Sequence, residues 1–171
     1  NAENKVKIVR EGGLPPLISL LSGFNQRLLE LATATVMNLA TNPENKVRIA
    51  QRGGIPPLIG LLPSSNDLVQ EQAMGSLCQL SMNAENKVKI VREGGLPPLI
   101  SLLSGFNQRL LELATATVMN LATNPENKVR IAQRGGIPPL IGLLPSSNDL
   151  VQEQAMGSLC QLSMNAENKV K

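Results

Sequence analysis

The sequence predicts an all-α fold in which three-helix repeats stack into an array. Three observations carry that prediction. Residues 1–82 recur unchanged from residue 83 onward, a match at all 89 comparable positions of the 171-residue chain. Inside each 82-residue unit a looser period of 41 relates NAENKVKIVREGG to NPENKVRIAQRGG, with 18 of 41 positions shared. Each repeat also carries start and stop signals for a short, a medium and a long helix. None of these can bury its apolar stripe alone, so stacked neighbours must cover it. Drift leaves tandem repeats at the looser similarity, whereas unbroken identity marks a very recent duplication or an idealised, deliberately built array.

Repeats begin at Asn1, Asn42, Asn83 and Asn124, and residues 165–171 start a further copy. In the second repeat Asn42 is a good N-cap, Pro43 suits the first helical position, and Glu44 complements the positive end of the helix dipole. Gly53-Gly54 ends this first helix, because glycine accepts the left-handed conformation. Pro56-Pro57 opens a second helix with the apolar run Leu58, Ile59, Leu61 and Leu62. In odd repeats Asn25 caps the third and longest helix, with Phe24 and Leu29 spaced for a hydrophobic staple. Its expected buried stripe is Leu28, Ala32, Val36 and Leu39; in even repeats it is Val69, Ala73, Leu77 and Leu80. The terminal NAENKVK is expected to dock on the preceding third helix, as the same segment does at earlier junctions.

Composition removes several functions. There is no His, Trp or Tyr and only two Phe, so base stacking is nearly excluded. The net charge of +3 comes without basic runs, which disfavours a nucleic-acid partner. No apolar stretch approaches a membrane span and no signal peptide opens the chain, so a soluble, intracellular or recombinant protein is expected. Cys78 and Cys160 are one position in two copies of the unit, not a disulfide framework. Without His they lack a base and metal-ligand company, so they read as small buried or inert residues, with no cofactor, metal or catalytic site. GG-x-PP lacks the Lys and Ser/Thr of a phosphate loop and reads as helix punctuation. Lys5, Lys7, Arg10 and their repeats read as a solvated helix face.

The period near 41, G-G-x-P-P-L-I-x-L-L after a short helix, and a third helix ending in NLAT or QLSM together resemble the armadillo repeat over essentially the whole chain. The short first helix and double glycine separate it from the HEAT repeat. The resemblance implies a single right-handed α-solenoid over residues 1–171, whose third helices line a concave groove for an extended peptide or protein segment. It further implies that Asn38 and Asn120, replaced by Gln79 and Gln161 in even repeats, pair with the peptide backbone. A carboxamide can serve both the N–H and the C=O of one extended residue. With helices about 8–10 Å apart and about 3.3 Å per extended residue, one amide per repeat meets a peptide every two or three residues. The groove neighbours implied by alignment are Leu31, Ala34, Gln72 and Gly75, with Leu113, Ala116, Gln154 and Gly157 in the second copy. Basic-peptide-binding relatives such as the importin-α group carry a Trp four residues before the Asn. Ala34 and Gly75 stand there instead, so a nuclear-import-signal site is not expected, and binding should be weak and largely backbone-read.

Two alternatives stay open at this stage. Asn38 can instead cap its own helix end or bond the next repeat's loop. The array can also be a structural scaffold without a ligand, self-associating head to tail through complementary NAENKVK-bearing ends.

Overall fold

The computed structural model describes residues 1–165, and among these the secondary structure is helical throughout, with no strand. The terminal segment expected to dock on the last third helix lies, past residue 165, outside the described residues. The chain divides into two compact units, 1–86 and 87–171. The first contains α1 (Ala2–Arg10), α2 (Leu14–Leu20), α3 (Gln26–Leu39), α4 (Pro43–Gln51), α5 (Ile55–Gly60) and α6 (Asp67–Leu80). Helix α7 (Ala84–Arg92) begins at the end of the first unit. The second unit continues with α8 (Leu96–Leu102), α9 (Gln108–Leu121), α10 (Pro125–Gln133), α11 (Ile137–Gly142) and α12 (Asp149–Ser163).

The helix ends follow from local chemistry. Asn42 Oδ1 accepts from the Asn45 amide and Asn25 Oδ1 from the Leu28 amide, so both caps stand where the sequence puts them. Helix α4 closes on a paired turn: Gly53 N–H donates to Ala50 O at 3.2 Å and Gly54 N–H to Ile49 O at 2.9 Å. The two glycines serve different ends. Gly53 takes φ +79°, a region that costs other residues about 1–2 kcal/mol. At Gly54 a Cβ would meet Ile49 Cγ2 at 2.6 Å, so there the close approach of helix and turn demands glycine.

In the first unit the long helices α3 and α6 pack side by side, with α2 and α5 against their flanks and α1 against α4. Val69, Ala73, Leu77 and Leu80 are fully buried, as the even-repeat stripe predicts. Ala32 and Ala73 keep the facing surfaces low, which lets two helix axes approach. The odd-repeat stripe needs one correction. Leu29, Ala32, Val36 and Leu39 are buried, whereas Leu28 is 44% exposed. Leu28 sits on the flank of the stripe, where no element of its unit covers it; in the second unit its counterpart Leu110 is buried.

The hydrophobic staple is absent. Phe24 is 104% exposed and its counterpart Phe106 98% exposed, so neither packs on the following helix. The Ser-Gly turn before each Phe turns the ring to solvent, and the Asn cap alone fixes the helix entry.

These packing differences set expected outcomes. Leu77→Ala should cost about 2–5 kcal/mol through its cavity, read as a lower urea midpoint and faster exchange of α6 amides. Leu28→Ala should change the midpoint little, by under about 1 kcal/mol for so exposed a side chain.

Candidate functional site

The last carbonyls of any helix lack intrahelical donors and need partners from elsewhere. At the end of α3 three consecutive carbonyls each receive one. Thr41 Oγ1 donates to Asn38 O at 2.8 Å, Asn45 Nδ2 to Leu39 O at 3.2 Å, and Lys46 Nζ to Ala40 O at 2.7 Å. Lys5 Nζ in turn donates to Thr41 Oγ1 at 2.8 Å. The second unit repeats the device, with Thr123 Oγ1 on Asn120 O at 2.7 Å and Asn127 Nδ2 on Leu121 O at 3.2 Å. Asn45 does more than cap. Its Nδ2 also reaches Lys5 O at 3.1 Å, joining α1, α3 and α4, while its own Oδ1 stays buried without a partner. Asn86 and Asn127 reach back in the same way to Lys46 O and Lys87 O.

That division of labour leaves the amides near the ends of the long helices in different situations. The end of α3 is capped by others, so Asn38 does not cap it; its carboxamide is exposed and makes no hydrogen bond with the described residues. Gln79 differs: it is half-buried, and Lys46 Nζ donates to its Oε1 at 2.8 Å. Asn120 and Gln161 are half-buried in the second unit.

The neighbours expected from alignment split into two groups. Leu31 is exposed, and Ala34, Leu113 and Ala116 are half-buried, so all four offer surface. Gln72 and Gln154 are instead engaged between the long helices: Thr33 Oγ1 donates to Gln72 Oε1, and Thr115 Oγ1 to Gln154 Oε1. Gly75 is buried because Met37 lies over it, and a Cβ there would stand 2.8 Å from Met37 Sδ. Met119 has the same relation to Gly157. The face between α3 and α6 is therefore floored by a thioether that the sequence pattern did not single out.

Lys46 corrects a second expectation, that the lysines of this motif form a solvated face. It is 7% exposed, and burial pushes its ammonium below the ordinary lysine range, against the opposing pull of a Cys78 thiolate. Arg48 behaves as expected, paired with Glu44 at 2.7 Å, which Arg10 also reaches at 3.4 Å. Cys78 is half-buried and Cys160 exposed, so of the expected small buried or inert residue the burial is not met; the two stand one position before Gln79 and Gln161. The described residues contain no group of three or more His, Cys, Asp or Glu able to hold a metal ion. No described helix is long and apolar enough to cross a membrane. Away from the long helices, each unit has a notch: one of about 370 Å³ beside Arg48, Gln51 and Arg52, the other of about 360 Å³ beside Arg130, Gln133 and Arg134.

The armadillo/beta-catenin-like repeat family matches four segments, residues 1–41, 42–82, 83–123 and 124–164. The chain belongs to the armadillo repeat family. These boundaries coincide with the four repeats read from the sequence, and the fold class is the all-α armadillo solenoid. No curated protein matches the chain. Among solved structures, an engineered protein is 29% identical at a TM-score of 0.89, covering 95% of this chain and 67% of its own. A computationally designed armadillo repeat protein for modular peptide recognition is 29% identical at a TM-score of 0.88, covering 94% and 69%. A designed armadillo repeat protein in complex with the peptide (KR)4 is 27% identical at a TM-score of 0.87, covering 95% and 69%. An engineered or freshly duplicated armadillo array accounts for the unbroken 82-residue identity.

The capping residues give two outcomes. Asn45→Ala leaves the Leu39 and Lys5 carbonyls without their donor and should cost about 1–3 kcal/mol, measured as a lower urea midpoint with α4 amides exchanging faster. Lys46 binds its proton less tightly folded than unfolded, so between its depressed folded value and the ordinary lysine value the unfolded chain holds more protons. Stability on its account should therefore rise with pH through that window. Comparing Lys46→Met with the parent, both in a Cys78→Ala background, should show that alkaline slope lost.

Proposed function

We propose that the protein is a non-catalytic scaffold that holds an extended peptide or protein segment against the long third helices of each unit. Asn38 and Asn120 are the principal anchors to its backbone. The observation that carries this reading is the uncommitted carboxamide of Asn38. It stands on the exposed face of α3 while Thr41, Asn45 and Lys46 do the capping an asparagine near a helix end would otherwise do. Ala34 and Leu31, one and two turns before it, supply small apolar contact. Designed armadillo relatives made for peptide recognition, one holding a peptide, support the same use of the fold. Gln79 and Gln161 are secondary anchors, because a glutamine must freeze one more torsion to make the same bonds. Gln72 and Gln154 serve the helix pair first and the ligand only at its edge.

A second reading, self-association of the chain, draws on Met156 at 54% exposure and Ile141 at 53%, while the counterpart Met74 is fully buried. Sedimentation velocity with and without extended peptides separates the two. Mass that grows with protein concentration and ignores peptide favours self-association. A concentration-independent species that gains mass with peptide favours the groove.

For the groove itself, the double substitution Asn38→Ala with Asn120→Ala should weaken a bound peptide roughly ten- to a hundredfold, at about 1 kcal/mol per lost hydrogen bond. Fluorescence anisotropy with a labelled extended peptide checks this, and unchanged affinity would remove Asn38 and Asn120 from the site.

A further inference from the structure

The second rung of the first unit is not equivalent to the first. Lys46 Nζ donates to Gln79 Oε1 at 2.8 Å and to Ala40 O at 2.7 Å. The carbonyl of Gln79 is thus turned toward a buried ammonium, and its Nε2 hydrogens are what remain for a ligand. An amide held this way offers donors where Asn38, two torsions from its backbone and unpaired, offers donors and acceptor alike. The carboxylates of α6, Asp67 and Glu71, lie two turns or more before Gln79. Glu30 is the one carboxylate on α3, and it is held by Arg27 at 3.4 Å and by Asn66 Nδ2 at 2.9 Å. From Gln72 to Gln79 the facing helix carries no acidic residue.

We propose that Lys46 is a positioning residue for ligand selection: it fixes Gln79 with its amide hydrogens toward the groove, so that this rung takes carbonyl and carboxylate groups of the peptide and rejects Lys and Arg side chains. The inference rests on the peptide-binding reading above. It makes this face opposite in preference to one built for a basic peptide, because the Gln79 carbonyl is turned to a fixed positive charge and its amide hydrogens are what face the ligand. Lys46 itself is too buried to receive the ligand and acts through Gln79.

The test uses the full chain and three labelled peptides of equal length on an Ala/Thr background, with Glu, Gln or Lys at alternate positions. Anisotropy titrations should rank Glu above Gln above Lys. The Glu-to-Lys ratio should be about tenfold or more, the size of one hydrogen bond to a charged group. Lys46→Met should collapse that ratio, whereas Lys7→Met, which removes the same charge from an exposed position, should leave most of it. Gln79→Glu keeps a partner for Lys46 and turns an acceptor to the groove, so it should reverse the order; this arm stands even if Lys46→Met fails to fold. Binding in which Lys equals or exceeds Glu in the parent protein, or equal loss of the ratio in Lys7→Met and Lys46→Met, overturns the inference while leaving peptide binding intact. Failure of all three peptides to bind removes the peptide-binding reading, and this inference with it.

Discussion

The capping of α3 and α9, the long helices of the odd repeats, by the short helix that follows each is the constraint on which the rest depends. A helix that ends in the middle of a stacked repeat leaves carbonyls pointing at protein instead of water, and an unmet buried carbonyl costs as much as a lost hydrogen bond. Within the N-x-E-N-K block every polar residue has a task here. Asn42 caps its own helix, Glu44 pairs with Arg48, Asn45 holds the Leu39 carbonyl, and Lys46 holds Ala40. The block thus fixes the angle at which one repeat meets the next within a unit, and packing of α3 on α6 follows from it.

The same constraint shapes the exposed face of α3. Because Thr41, Asn45 and Lys46 satisfy the end of α3, Asn38, one residue before its last helical position, has no capping duty and stands exposed. The device is not symmetric between odd and even repeats. In α3 it frees Asn38, while in α6 the longer Gln79 comes within reach of Lys46 and is drawn into the network. The equivalent Lys5 donates instead to Thr41 Oγ1, a hydroxyl that Met82 replaces in the even repeat. Between the two helices Met37 lies over Gly75 and closes the space with a soft, apolar side chain.

Much of the fold was legible in the chain because its signals are local. A glycine pair, a proline pair and an asparagine cap act within a few residues, and the 82-residue identity makes each reading available twice. The errors have local-to-tertiary causes. Phe24 has the spacing of a staple, but spacing does not say whether a ring turns inward, and it is fully exposed. Leu28 and Leu29 differ by one position on the helix, and the first is exposed while the second is buried, a difference that tertiary packing and not spacing decides. The lysine of N-x-E-N-K looks solvated on a helix wheel, yet in the second repeat it spans two other helices and is buried.

The sequence by itself determined the repeat period, the three helices of each repeat, their caps and breaks, the even-repeat core stripe and the armadillo family, because each rests on backbone conformation and apolar spacing that short segments impose. Only the tertiary structure decided which amide is free and which is held, that Gln72 and Gln154 bond the neighbouring long helix, and that Met37 closes the space over Gly75. Those outcomes depend on groups some 33 to 40 residues apart meeting at 2.5–3.1 Å, and no periodicity along one chain encodes which of several polar groups within reach makes the bond.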